Sequence, residues 1–155
     1  MQLWYKNTKL NNVLMDAKTN KARAVIDLDT VMPESLLFDF GDSIRFGACT
    51  NREDEPDLTK VVFDKERFKA YAREYCTAVK DSITERETEL LPYGSYLMTI
   101  ECGRRFLADY LSGDVYFHIK REGQNLDRCR TQLSLASQIY GRISELQEIV
   151  FNVLK

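Results

Sequence analysis

Hydrophobic and polar positions fall into two regimes along this chain. Near the start the apolar runs are short: Asn-Val-Leu-Met at 12–15 and Arg-Ala-Val-Ile-Asp-Leu at 23–28. The polar segment Asp16-Ala-Lys-Thr-Asn-Lys-Ala separates them, and this combination predicts a β-hairpin. An irregular stretch with Pro33 and a Gly41-Asp42 pair follows, then the acidic run Thr50-Asn-Arg-Glu-Asp-Glu-Pro-Asp57, which reads as a solvated loop. Beyond it the spacing becomes helical. Asp64 is a good N-cap, with Phe63 and Phe68 placed to form a hydrophobic staple. Phe68, Tyr71, Ala72, Tyr75, Cys76 and Val79 then keep a 3.6-residue stripe. Thr84 and Glu87 predict a capping box, Pro92 and Gly94 an interruption, and a new stripe runs from Tyr96 to Leu111 until Ser112-Gly113 ends it. A final helix is expected from Asn125 or Asp127 through Cys129, Leu133, Ala136, Tyr140, Ile143, Leu146, Val150 and Val153.

The pattern predicts an α+β, mainly helical fold: one domain over 1–155, with a hairpin region at 1–45 and a helical body at 60–155. A two-stranded sheet is marginal in water, so the helices or a partner must cover the hairpin. Apolar residues at 44% and charged residues at 30% exclude a disordered chain. A net charge of −2 gives no bulk reason to bind nucleic acid or an anionic membrane, and neither partner is expected. No segment has the apolar length of a membrane span or the start of a signal peptide. Cys49, Cys76, Cys102 and Cys129 have no CxxC spacing, which points to reduced thiols and a cytoplasmic protein. The single histidine, His118, leaves little room for His-based catalysis.

The chemistry is expected at the ends of the hairpin. Asn12 begins the first strand and Asp27 ends the second, so a hairpin sets an amide oxygen beside a carboxylate. Mg²⁺ takes a few such oxygens and completes its shell with water and phosphate. A base five residues before an Asn, then a hairpin, then an Asp, is the layout of kinase catalytic loops. Asn and Asp at strand ends also serve as plain turn residues.

Asn7-Thr-Lys-Leu-Asn-Asn-Val-Leu-Met, Val25-Ile-Asp-Leu-Asp-Thr-Val-Met-Pro and Phe38-Asp-Phe-Gly-Asp-Ser-Ile-Arg-Phe-Gly occur in that order. Further on come Arg104-Arg-Phe-Leu-Ala-Asp-Tyr-Leu-Ser-Gly-Asp-Val-Tyr-Phe and Asn125-Leu-Asp-Arg-Cys-Arg-Thr-Gln. Together these segments resemble the catalytic half of the aminoglycoside phosphotransferase-like kinases, and most nearly the N-acetylhexosamine 1-kinase branch. The resemblance implies a protein-kinase-like C-terminal lobe. Intact relatives use ATP and Mg²⁺ to phosphorylate an N-acetylhexosamine at its anomeric hydroxyl; whether this chain holds either cofactor is left open. By the same resemblance Asn12 and Asp27 are the metal pair, Arg105 and Tyr116 contact the sugar, and Asp39 braces the catalytic loop.

The chain departs from the family pattern in two ways. The family's catalytic loop begins His-Asn-Asp or His-Gly-Asp, whereas Tyr5, Lys6 and Asn7 stand here. An Asn can hydrogen-bond an acceptor hydroxyl but cannot take its proton, a contribution worth about 10²–10⁴-fold in rate. The family's nucleotide-binding N-terminal lobe also precedes this region, so the expectation is an inactive lobe that self-associates or pairs with a separate N-lobe. Two other classes stay open. One is a non-enzymatic helical interaction module. The other is an aspartyl-nucleophile phosphatase using Asp27 within Ile26-Asp-Leu-Asp-Thr-Val, which requires a parallel α/β sheet. An EF-hand over Asp16–Asp27 fails, because Lys18 and Lys21 occupy the third and sixth positions of the loop.

Overall fold

The computed structural model describes residues 3–5 and 12–154. Among the described residues four short strands precede five α-helices: β1 (Leu3–Tyr5), β2 (Val13–Met15), β3 (Ala22–Val25), β4 (Val31–Pro33), α1 (Leu36–Gly47), α2 (Lys65–Val79), α3 (Glu85–Leu111), α4 (Gln124–Tyr140) and α5 (Ile143–Leu154). The fold is α+β and mainly helical.

The hairpin forms as β2 against β3, antiparallel, with an irregularity between Leu14 and Met15. Asp16 holds its turn. The carboxylate accepts from the backbone N–H groups of Lys18 and Thr19 at 3.0 and 2.9 Å and from Arg23 Nη2 at 2.5 Å. The Arg23 hydrogen bond first, then the two backbone N–H groups, lower the Asp16 pKa to about 2. A lowered carboxyl stabilises the fold above its unfolded value of about 3.9 and loses that contribution as pH falls through about 2. The Lys18 and Thr19 amide resonances are therefore expected to titrate together near pH 2, and a midpoint near 4 would mean that the Arg23 contact does not form in solution.

The second sheet was not expected. β4 pairs antiparallel with β1, Trp4 opposite Met32. Sequence spacing treats the whole stretch after Asp27, with Pro33 and Gly41-Asp42, as irregular, yet it holds both β4 and α1. β4 is only three residues long with its partner far back in the chain, and the Gly41-Asp42 pair in α1 looks like a turn until its packing partner is known. Asp27 sits between the sheets with a φ of 63°, a left-handed turn rather than the end of a strand.

Ser35 starts α1 by accepting from the Leu37 N–H, and Leu36, Phe40 and Ile44 fall on one buried stripe. The Phe40 ring meets Phe68 of α2 edge-on at 5.7 Å, and Phe63 lies 5.9 Å from Phe68 as the staple requires. Asp64 caps α2 and the Thr84–Glu87 box caps α3. Leu91, Leu135, Ile139, Leu146 and Val150 extend the same core through α3, α4 and α5. Cys76 and Cys129 are buried in these stripes as expected, and the four cysteines are free thiols.

Two helix boundaries differ from the sequence reading. Pro92 does not break α3, which runs unbroken from Glu85 to Leu111. A mid-helix proline costs about 3 kcal/mol, so propensity favours a stop. Here packing by α1, α4 and α5 along α3 outweighs that cost. Conversely, the expected single C-terminal helix is two. Gly141 ends α4 and the chain turns before Ile143, although the apolar stripe continues in register across the joint.

Candidate functional site

A cavity of about 890 Å³ lies where α1, α3, α4 and two loops converge. Two neighbouring rows of α3 face it, Leu97, Glu101 and Arg105 at four-residue spacing beside Met98, Cys102 and Phe106. Phe38, Asp42 and Arg45 come from α1, Glu53 from the 50–57 loop, Tyr116, Phe117 and His118 from the segment after α3, and Arg128 from α4.

Arg105 and Tyr116 therefore lie together on one wall. The guanidinium carbon of Arg105 is 5.8 Å from the Tyr116 ring centre and 5.4 Å from that of Phe117. Glu101, one turn earlier, lies 3.9 Å from Arg105 Nε. Tyr116 is 72% exposed, so it is not a core aromatic.

A buried polar network holds that wall. After α3, Gly113 and Asp114 turn the chain with φ values of 89° and 57°. Asp109 then accepts from the Tyr116 N–H at 2.8 Å and the Phe117 N–H at 2.9 Å. Burial opposes its charge, yet the N–H groups of Phe117, Tyr116 and Val115 hold its carboxyl below the ordinary range. Asn125, fully buried, donates to Asp109 Oδ2 at 2.9 Å and Asp114 Oδ1 at 2.8 Å, and its Oδ1 accepts from Arg128 at 2.8 Å. Arg128 in turn reaches the His118 carbonyl and lies over the Phe106 ring. On the opposite wall Arg45 is almost wholly buried and donates to Asp42 at 2.8 Å. Burial works against its charge, but Asp42 and Glu53 overcome this and raise its pKa.

The other predicted pair also meets. Asn12 Nδ2 donates to Asp27 Oδ2 at 3.3 Å, and the Ile26 N–H closes onto the Asn12 carbonyl at 2.9 Å. Turning the Asn12 amide over puts its oxygen where the nitrogen now stands, so amide and carboxylate oxygens face the same point. That donor set suits a hard cation which supplies most of its shell from water and phosphate. Among the described residues no group of three or more His, Cys, Asp or Glu forms a metal centre. Neither Asn12 nor Asp27 lines the cavity; along the chain β4 separates the pair from α1, whose Phe38 does.

Asp39 is buried in the first turn of α1. Burial first, then the Asp39 carboxylate, push the Tyr75 hydroxyl far above its ordinary pKa. Tyr75 and Tyr71 of α2 are thus its described electrostatic neighbours. Asn7 lies outside the described residues, as does the loop that Asp39 is expected to brace.

Sequence reasoning did not single out Asp42, Arg45, Glu53, Asp109, Asn125 or Arg128 as site residues. The three-residue spacing of Asp42 and Arg45 was a legible signal. Asn125 and Arg128 belong to one of the segments that resemble the family, but nothing local to it says that they reach a loop ten residues back. No helix among the described residues is long and apolar enough to cross a membrane. No model of a known protein family matches the chain.

Proposed function

We propose that this chain is a sugar-binding catalytic lobe of the aminoglycoside phosphotransferase-like kind, nearest the N-acetylhexosamine 1-kinase branch, that binds its sugar without transferring phosphate. The observation that carries this reading is the convergence of Arg105 and Tyr116 on one wall of a polar-rimmed cleft. A guanidinium supplies donors to hydroxyl and acetamido oxygens, and the ring offers an apolar face and a hydroxyl to a pyranose. Asn12 and Asp27 would hold Mg²⁺, which when bound neutralises charge on phosphate oxygens. ATP is the phosphate donor of intact relatives. Asn7 at the base position removes the proton acceptor, so the reading is of binding without turnover.

Titration calorimetry with N-acetylglucosamine and N-acetylgalactosamine tests it. Binding in the millimolar range or tighter is expected, weakened at least about tenfold by Arg105→Ala, the worth of one charge-assisted hydrogen bond. Absence of heat at millimolar sugar sinks the reading.

A second reading, an interaction module, is favoured by the hairpin. Leu14, Met15, Val25, Ile26 and Leu28 are all between 42% and 55% exposed. Such a cluster on a marginal two-stranded sheet is buried by association, here with a second copy of the chain. Light scattering should then show a mass rising from 18.0 kDa with concentration and held at that value by Ile26→Lys. A constant monomer mass of the unaltered chain would remove this reading. The phosphatase layout gains no support, because the described strands pair only antiparallel.

A further inference from the structure

Three guanidiniums face the cleft, on Arg45, Arg105 and Arg128, and one of their acidic neighbours differs from the rest. Asp42 meets Arg45 from the same helix, and Glu101 lies one turn from Arg105 on α3. Glu53 comes instead from the 50–57 loop and faces two helices at once. Its Oε1 is 3.4 Å from Arg45 Nη1 on α1, and its Oε2 is 3.8 Å from Arg128 Nε on α4. Both separations exceed the roughly 2.7–2.9 Å of a charge-assisted hydrogen bond. Arg128 Nε is buried and makes no hydrogen bond, a costly condition for a charged donor. The seat between the two arginines is therefore filled by a poorly fitting carboxylate.

The loop does not depend on that carboxylate. Asp54, the next residue, accepts from Gln124 at 2.9 Å and pairs with Arg121, and the Glu55 carbonyl accepts from Thr131 at 3.2 Å. The Glu53 side chain, 39% exposed, can swing into solvent while the backbone stays fastened to α4. Its departure leaves one uncompensated positive charge in the cleft.

We infer that the space between Arg45 and Arg128 is a subsite for an oxyanion, a carboxylate or phosphate group on the cleft's ligand, and that Glu53 occupies it in the free protein. The incoming group displaces Glu53, restores charge balance and reaches the Arg128 Nε that Glu53 leaves unsatisfied. This rests on the cleft being a ligand site, though not on its ligand being an N-acetylhexosamine.

Calorimetry on the whole chain distinguishes the two, with glucuronate, glucose 1-phosphate, inorganic phosphate and N-acetylglucosamine as probes. Glu53→Gln should tighten at least one oxyanion probe about tenfold, a typical coupling between competing groups, and leave N-acetylglucosamine within about twofold. The probe that gains identifies carboxylate or phosphate, and a gain for inorganic phosphate alone places the recognition in the ion. Glu55→Gln, on the same loop but not lining the cleft, keeps the acceptor for the Asp57 N–H and should change no probe beyond about twofold, since its carboxylate is paired with neither Arg45 nor Arg128 and does not occupy the seat between them. Glu53→Ser, which empties the seat, should repeat the Glu53→Gln ordering. Equal gains in the Glu53 and Glu55 variants, or no oxyanion binding by either Glu53 variant at millimolar probe, overturn the subsite. Sugar binding without an anion gain overturns this inference and leaves the sugar reading standing; an anion gain without N-acetylglucosamine binding does the reverse.

Discussion

Gly41→Val should lower the melting temperature by roughly 6–12 °C, the largest loss expected from a single change that adds no charge. α1 and α3 cross with their backbones in contact. A Cβ on Gly41 would stand 2.4 Å from the Gly94 carbonyl oxygen, and one on Gly94 would stand 2.5 Å from the Leu37 carbonyl oxygen. Neither obstacle is the end of a flexible side chain, so the helices must separate. Separation pulls Phe40 and Ile44 from the core that Leu91 shares with them. Overpacking costs about 1–3 kcal/mol, and a branched side chain here belongs at the top of that range. Each kcal/mol is worth about 2–4 °C in a domain of this size. The Gly41→Ala and Gly94→Ala effects should also fall short of additive, because either substitution opens the same crossing. A thermal melt in which Gly41→Val shifts the midpoint by less than about 2 °C would show that the crossing is looser than the structure places it.

The same crossing shows why one stretch of sequence misleads. Pro92 and Gly94 together carry the usual sign of a helix end, and local propensity has no access to the neighbour that makes them useful. Gly94 is small because α1 lies on it, and Pro92 is tolerated because that packing keeps α3 in place. At the joint between α4 and α5 the error runs the other way: the apolar stripe stays in register past Gly141, so periodicity alone sees one helix. The caps were legible because they are local. Asp64, Thr84 and Glu87 each act within three residues of themselves.

Site residues divide along the same line. Asn12 and Asp27 were readable as neighbours because a short hairpin fixes which ends meet. Arg105 and Tyr116 came from the family resemblance, and their spacing alone would have placed one on a solvated helix face and the other in a core. What makes them a wall is Asp109 and Asn125, polar residues on helices that the sequence reading treated as apolar stripes. Buried polar groups such as Asp109 and Asn125 persist in such places when partners are supplied, and theirs come from three separate segments. That is tertiary information, and no window of the sequence contains it.

Asn125→Asp tests that network by inverting one of its members. The Asn125 amide donates to two carboxylates at 2.9 and 2.8 Å, and the substitution replaces that nitrogen with an oxygen. Three carboxyl groups would then meet at a buried point, with Arg128 able to satisfy only one edge. Breaking a buried charged arrangement in this way costs about 3–5 kcal/mol, which at this size is a drop of about 6–20 °C. The pH dependence gives the sign. In the unaltered chain Asp109 has a lowered pKa, so its contribution is present above the ordinary carboxylate value and is lost as pH falls through the folded one. The new carboxyl at 125 has like charges beside it, which raise its folded pKa, so its penalty is full at neutral pH and relieved as acid protonates it. The difference in melting temperature between the two chains should therefore narrow on moving from pH 7 toward pH 5, while Asn125→Ala, which adds no titrating group, should show no such narrowing. Cleft binding must fall in both variants, since Tyr116 and Arg128 lose their common anchor. A variant that keeps its stability and shows no pH-dependent recovery would mean that Asn125 does not bridge the two carboxylates, and the wall carrying Tyr116 would need another support.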